Sequence, residues 1–390
     1  MGEWKKDQLG KICNIFAGGD APDDTSPIRT NILYVPVYSN GISRKGLYGY
    51  TSKSRVNQDA ITISARGTIG AVFFRSEPFF PIVRLITVFP RSSGLDTKFL
   101  YYRLLLVPFA GDGSAVKQLT VPMISEYEID YPPLPTQRKI AAVLGAIDDK
   151  IETNRKICAN LEAQAQALFK SWFVDFEPFG GKMPKDWKIV RLENVCSKIT
   201  DGSHSSPKEL VGGKYPMLSV KDMGQFDFEY STSKYISESD YLQMLANGCV
   251  PLRDDVLVAK DGSYLKSIFI VNENKEQAVL SSIAIFRPNT VKISPEYLLW
   301  FLKSPSTIST IRNTCVTGSG VPRVVLQDFK SIPFVLPSMQ DMQRPVELLR
   351  SVRWCIDKNV KESRALASMR DALLPRLMSG EIDVEKVEVA

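Results

Sequence analysis

The chain has 390 residues, 44% hydrophobic and 24% charged, a balance that fits a folded protein of two or three domains and leaves little room for long disordered tracts. Forty-nine Lys and Arg against 43 Asp and Glu give a net charge of +6, a mild excess compatible with a polyanionic partner but common without one. No stretch approaches the roughly 18 to 20 apolar residues that cross a bilayer. The opening MGEWKKDQLG lacks the apolar run of a signal peptide, and six cysteines without a CxxC pair suit a reducing compartment. A cytoplasmic protein with no membrane association is expected.

Over the first third of the chain, short β-branched and aromatic runs such as 60–64 and 85–89 alternate with Gly, Pro and Ser, which reads as a twisted sheet with a few helices. Ahead of them, 39–55 reads as a loop with small residues, tyrosines, four cations and no acid. Its Asn40, Ser43, Arg44, Lys45, Lys53 and Arg55 offer the cations, amides and hydroxyls that phosphates and base edges require. An ordinary solvated loop is the alternative. Arg66 with Thr68, and Lys117 with Gln118 after Gly111-Asp112-Gly113, are further candidates that could instead hold turns.

From Gln137 the pattern changes to spacings of four and three: Ile140, Leu144, Ile147, Ile151, Asn154, Cys158, Leu161, Ala165, Leu168 and Trp172. That is the seam of a long helix. It ends at the Pro- and Gly-containing linker 176–181.

A second sheet-like region follows, with runs at 255–259 and 282–286. Here His204, Ser205, Lys208, Lys221, Lys260, Ser263, Lys266 and Arg323 are the candidates for polyanion contact, while Asp201, Asp222 and Asp261 either accept from cytosine amino groups or order their loops. A second long helix carries the same seam 205 residues later: Leu349, Val352, Ile356, Asn359, Ser363, Leu366, Arg370 and Leu373. Matched seams suggest that the helices pair with each other, with Asn154 and Asn359 brought close in their core.

The two halves repeat one another. Trp4, Leu9 and Cys13 recur as Trp187, Leu192 and Cys196; 36–39 answers 216–219; 65–68 answers 259–263; and 99–102 answers 297–300. Each half leaves by a Leu-Pro pair, 134–135 and 336–337, into its helix.

Catalytic signatures are missing. His204 is the only histidine, which removes His-pair metal sites and leaves a Ser-His-Asp triad dependent on one residue. Gly41-x4-Gly46 is followed by Leu47 and Tyr48 rather than Lys and Ser/Thr, so no phosphate-binding loop is present. Neither the aromatic tetrapeptide nor the glycine-rich cofactor loop of an adenine methyltransferase is found.

Several stretches resemble the specificity subunit of type I restriction-modification systems, over essentially the whole length. Residues 201–207 (DGSHSSP) are similar to the DG-[ST]-H-x-x-P signature of that family's recognition domains, and 66–70 (RGTIG) to its R-G-T-x-G loop. The stretches 133–137, 169–176 and 370–380 look like its central and terminal conserved regions. There are departures: the first half has 17–22 (AGGDAP) in place of the DG-x-H form, and the second has Lys260-Asp261-Gly262-Ser263 in place of the R-G-T loop, so the halves are expected to read different bases.

The expected fold is α+β, with two tandem target-recognition domains, each a twisted, mostly antiparallel sheet with short helices. They are related by a pseudo-two-fold internal repeat and separated by two long helices forming an antiparallel coiled coil. The expected boundaries are 1–134 for the first recognition domain, 135–176 for the central helix, 177–336 for the second domain, 337–380 for the C-terminal helix and 381–390 for a tail. The helix-pairing core is expected from Leu144, Ile147, Ile151, Asn154, Leu161, Leu168, Leu349, Val352, Ile356, Asn359, Leu366 and Leu373. Roughly 33 residues of seam at ~1.5 Å rise make a spacer of about 50 Å, somewhat more than the ~34 Å of one DNA turn.

The resemblance implies a non-catalytic subunit that binds double-stranded DNA at a bipartite target, each domain reading one half. The expected partners are two methyltransferase (modification) subunits, docked on the helices, and restriction/translocase subunits. S-adenosylmethionine, ATP and Mg2+ are expected only in those partners. The competing readings are a scaffold that reads no sequence and a self-contained nuclease or methyltransferase.

Overall fold

The computed structural model describes residues 3–112, 117–262, 265–317 and 323–386. The chain divides into two compact units, Met1–Ile151 with Arg364–Ala390, and Glu152–Ser363. Each unit holds one sheet-rich half of the sequence and a stretch of both long helices.

In the first unit the strands are β1 (Lys5–Gln8), β2 (Cys13–Ala17), β3 (Val35–Tyr38), β4 (Leu47–Thr51), β5 (Ala60–Ile63), β6 (Val72–Arg75), β7 (Phe80–Pro81), β8 (Ile86–Pro90) and β9 (Glu128–Tyr131). They form sheets ordered β2-β8-β5-β6, β4-β3-β7 and β1-β9. All pairs are antiparallel except β3 with β7. The β-branched run of β5 is buried throughout, as the central position of a sheet covered on both faces requires.

The second unit repeats this plan. Its strands are β10 (Lys188–Arg191), β11 (Cys196–Asp201), β12 (Tyr215–Leu218), β13 (Lys234–Ile236), β14 (Val256–Ala259), β15 (Ile268–Ile270), β16 (Ala278–Val279), β17 (Ile283–Pro288), β18 (Val316–Thr317), β19 (Arg323–Val324) and β20 (Pro333–Leu336). The sheets run β11-β17-β14-β15, β13-β12-β16 and β10-β20, with β12–β16 again the parallel pair, and β18 pairs with β19 where the first unit has the antiparallel bridge between Asp112 and Gln118.

One backbone crossing recurs in both units. The chain leaving β2 passes against the end of β7 at Gly18, and the chain leaving β11 passes against β16 at Gly202. An added Cβ on Gly18 would lie 2.7 Å from the Pro81 carbonyl oxygen, and one on Gly202 would collide with the Val279 carbonyl. Glycine is required there for close approach rather than for an unusual φ.

The first long helix, Leu134–Phe173, and the second, Met339–Met378, run antiparallel in both units. In the first, Arg370 donates to Asp148 at 2.8 Å, and Asp148 also accepts from Tyr102 Oη at 2.7 Å. These two donors satisfy a polar seam position, and against the cost of burial Asp148 together with Asp371 holds the Arg370 guanidinium above its ordinary pKa. In the second unit Asn154 Nδ2 donates to Glu362 at 2.8 Å, and Cys158 packs its thiol on the Ile356 carbonyl. Ile140, Leu144, Cys158, Ala165, Leu349 and Ile356 are buried; Ile147, Ile151, Leu161, Leu168, Val352, Leu366 and Leu373 are half-buried.

The two asparagines take separate hydrogen-bond partners. Asn154 turns to Glu362, its Oδ1 is buried without a partner among the described residues, and Asn359 donates to the Cys355 carbonyl of its own helix at 2.7 Å. The register carried by the 154–362 and 158–356 contacts sets Asn154 against the turn beyond Asn359. Replacing the half-satisfied amide by a hydrocarbon, Asn154→Leu, should stabilise the chain by about 1 kcal/mol, raising the thermal midpoint by roughly 2–4 °C. A lowered midpoint would show that the amide specifies the pairing. Gly202→Ala should cost roughly 2–3 kcal/mol by thermal unfolding, whereas Gly94→Ala, whose added Cβ lies 3.7 Å from Ser92 Oγ, should stay within about 0.5 kcal/mol.

Candidate nucleic-acid interface

In the first unit four segments meet around Asn40. Its Nδ2 donates to the Val83 carbonyl and its Oδ1 accepts from the Ala65 amide, both at 2.7 Å, while Gly41 N donates to Ser64 Oγ at 3.2 Å. Asn40 therefore spends its amide on fastening loops together rather than presenting it.

The turn so fastened is unusual. Val83 and Arg84 have φ of 51° and 60°, a left-handed conformation that a β-branched residue adopts only under constraint. Hydrogen bonds from Val83 N to Gly19 O at 2.7 Å and from Arg84 N to Gly18 O at 2.9 Å hold it. It presents the Arg84 guanidinium 3.5 Å from Gln118 Oε1, which also accepts two bonds from Arg66, at 2.7 and 3.0 Å. Arg55 stacks over Phe16 at 4.8 Å, beside Gly19. Arg66 and Arg84 thus converge on one amide oxygen, a donor-rich pair that fits guanine N7 and O6 or phosphate. Arg84 was missed in the sequence because it sits inside the apolar run Pro81-Ile82-Val83-Arg84-Leu85.

The stretch 39–55 is not one loop. Leu47–Thr51 forms β4 against β3, because Gly49 and Thr51 alternate inward. Ser43, Arg44 and Lys45 lie exposed before that strand, and Lys53 and Arg55 after it, so β4 separates the two pairs of cations by roughly 17 Å. Arg44 and Lys45 also have positive φ, 47° and 54°. Beneath them Arg75 is buried, donates to the Lys45 carbonyl at 2.6 Å and to Thr62 Oγ1 at 3.0 Å, and lies 3.6 Å over the Tyr38 ring. Burial pushes its pKa down to about 10, so the guanidinium stays charged at neutral pH and braces the turn from within. At the far end Asp24 accepts from Ser52 N and Oγ and from Thr51, bonds that hold its carboxyl well below the usual range. Thr68 and Lys117 are exposed.

The second unit places different side chains at the same stations. Asp201, at the end of β11, divides its carboxylate: Oδ1 meets His204 Nε2 at 3.2 Å and Oδ2 meets Lys260 Nζ at 3.4 Å. Lys260 also lies 3.4 Å from Asp261 Oδ1. Its side chain is only 9% exposed, against 76% for His204, so the expected DNA contact by Lys260 is corrected to a buried ion pair, and His204 is the member of the group that faces outward. Asp222 accepts from Ser219 N and Oγ and so orders its own loop. The Ser282 hydroxyl, at the position of Arg84, accepts from Val220 N at 3.1 Å. Ser205, Lys208, Lys221 and Lys266 are exposed. Arg323 is placed by its backbone in β19, and Ser263 lies outside the described residues.

Nucleophilic chemistry has little support here. Cys13 and Cys196 occupy equivalent positions, and burial pushes both thiols up to about 12, so both are protonated at neutral pH. Among the described residues no group of three or more His, Cys, Asp or Glu is arranged to hold a metal ion, and no helix is long and apolar enough to cross a membrane.

The model of the type I restriction modification DNA specificity domain matches residues 1–163 and again 184–364, one match for each sheet-rich half. The type I restriction enzyme MjaIX specificity subunit of Methanocaldococcus jannaschii is 27% identical over 400 residues, covering 95% of this chain and 89% of that one. The HindI specificity subunit of Haemophilus influenzae is 24% identical over 335 residues, 68% of this chain and 71% of that one. In fold, the crystal structure of a type I restriction-modification S subunit from M. genitalium superimposes with a TM-score of 0.60 at 17% identity, covering 96% of each chain. With two matches that together span most of its length, the chain belongs to the type I restriction-modification DNA specificity family.

Proposed function

We propose that the chain is the sequence-reading subunit of a type I restriction-modification complex, each recognition domain reading one half of a bipartite duplex target. The observation that carries this reading is the repeated station described above: equivalent backbone positions in the two units carry unlike polar groups, Arg84 against Ser282, Gln118 against Arg323 and Asp20 against His204. A duplicated fold with divergent polar groups at one station is what two readers of different base sequences require.

In this reading Arg44, Lys45, Lys53, Lys117, Lys208, Lys221 and Lys266 supply phosphate contacts, with Arg55 and Arg323 beside them, while Ser43, Thr68, Ser205 and Ser263 contribute hydroxyls. The long helices set the spacing between the readers and dock two methyltransferase subunits, with restriction/translocase subunits joining for cleavage. Cofactor chemistry belongs to those partners, and this chain supplies binding and orientation alone.

The test exchanges residues 1–134 for those of a relative with a different target and maps methylated bases in cells carrying the modification subunits. One half of the methylated sequence should change and the other should persist. A change in both halves would reject modular reading. Phosphate contacts predict a separate signature: Lys208→Ala should weaken binding to all sequences alike and reduce the slope of affinity against salt by about one counterion.

A further inference from the structure

The geometry points to a specific atom as the reader of the second half-site: Nδ1 of His204 accepts a hydrogen bond from an exocyclic base amino group, adenine N6 or cytosine N4, with Asp201 as the positioning residue. This inference rests on the DNA-reading function proposed above and deepens it.

The Asp201 carboxylate offers only acceptors, so the ring nitrogen that meets its Oδ1 at 3.2 Å, Nε2 of His204, must carry the proton. In a neutral imidazole that leaves Nδ1 as an acceptor. The carboxylate cannot swing away freely, because its other oxygen is paired with Lys260 Nζ at 3.4 Å, and Lys260 is itself held by Asp261 at 3.4 Å. Backbone bonds fix the segment as well: Gly202 N donates to Ile283 O at 3.1 Å, Ser203 N to Val279 O at 2.8 Å and Ser281 N to Ser203 O at 2.9 Å.

His204 is thus an exposed ring mounted on a buried ionic base, with its tautomer set from behind. Of the edges in the major groove, only adenine N6 and cytosine N4 donate to such an acceptor. Asp201 is only 14% exposed and spends a carboxylate oxygen on each of His204 and Lys260, which makes it the positioning residue. The first domain has Ala17 and Asp20 at the corresponding positions of its glycine crossing, so it holds no imidazole there and the pairing of ring and carboxylate belongs to the second domain alone.

Because His204 is the only histidine, its nuclear magnetic resonance signals need no assignment. In the full chain labelled with 13C and 15N histidine, the ring should report the Nε2–H tautomer alone, and Asp201→Asn should move it toward the mixture of a free imidazole. In selection from a random duplex pool, His204→Ala should lower the preference at one adenine or cytosine of one half-site by about five- to ten-fold, leaving the other half unchanged. A duplex whose base lacks the amino group at that position should weaken binding by the wild-type chain and make no difference to His204→Ala, an exposed substitution that leaves the fold intact. An Nδ1–H tautomer, an Asp201→Asn spectrum like the wild type, or equal loss from the amino-free base in both proteins would overturn the inference while DNA reading stands. Failure of the wild-type chain to select any motif would instead remove the DNA-reading function and this inference with it.

Discussion

Neither sheet-rich half closes its core without the long helices. In the first unit Ile140, Ala141 and Leu144 from one helix and Leu374, Leu377 and Met378 from the other pack into the same cluster as Leu9, Ile61, Phe99 and Tyr102. In the second, Ala165, Phe169 and Phe173 join Met342, Val346 and Leu349 around Trp187, Tyr297 and Phe334. Aromatic residues carry much of this contact: Phe173 meets Tyr297 edge-on at 4.7 Å, and Phe169 lies 5.3 Å from the same ring. Polar anchors add direction. Gln137 is fully buried, accepts from Asp96 N at 2.8 Å and donates to the Pro132 carbonyl at 2.8 Å, and Trp187 Nε1 donates to Asp341 at 2.8 Å. Within each unit the reading loops are consequently mounted on the helices through a shared hydrophobic core rather than through a flexible tether.

That mounting explains what the repeat keeps and what it releases. The backbone bonds at the glycine crossing are kept: Gly18 N to Leu85 O corresponds to Gly202 N to Ile283 O, and Leu119 N to Ala65 O corresponds to Val324 N to Lys260 O. Both aromatic-rich helices that pack beneath the sheets, Thr97–Leu105 and Pro295–Lys303, begin with a capping side chain, Asp96 and Ser294. The side chains pointing away from this frame are free to differ, since substitutions there leave the core untouched. Fold and specificity are therefore carried by different residues of the same loops, which is the physical basis for exchanging one recognition domain without unfolding the other.

The frame was legible in the sequence and the site only partly so. Tandem similarity at Trp4 and Trp187, heptad spacing and the proline exits depend on local pattern, and burial follows that pattern closely along both seams. The status of individual cations does not. Lys260 and Lys266 are both lysines in a polar loop, yet one is buried between two aspartates and the other exposed, a difference decided by Asp201, sixty residues away in sequence. Arg84 was hidden by apolar neighbours that turn out to form a strained turn, and Asn40 was chosen for chemistry it uses to tie backbone segments. The partners of the seam asparagines, Glu362 for Asn154 and the Cys355 carbonyl for Asn359, were not legible for a related reason: which groups meet across two helices depends on their register, and register is a property of the packed helices, not of either one.

The modest net charge of +6 acquires a meaning from these placements. Several cations are neutralised inside the fold, as Lys260 is by Asp201 and Asp261, Arg287 by Asp255 at 2.8 Å and Arg370 by Asp148. Each such pair removes one charge of each sign, so the +6 excess is left to the unpaired cations of the surface, where it attracts phosphates without regard to sequence and leaves discrimination to directional base contacts. Carrying both domains on one chain makes the second encounter intramolecular once the first is made, so two weak readers act at a raised effective concentration and a correct sequence is needed at both for tight binding. Selectivity then arises from the joint requirement, and neither domain has to be strong.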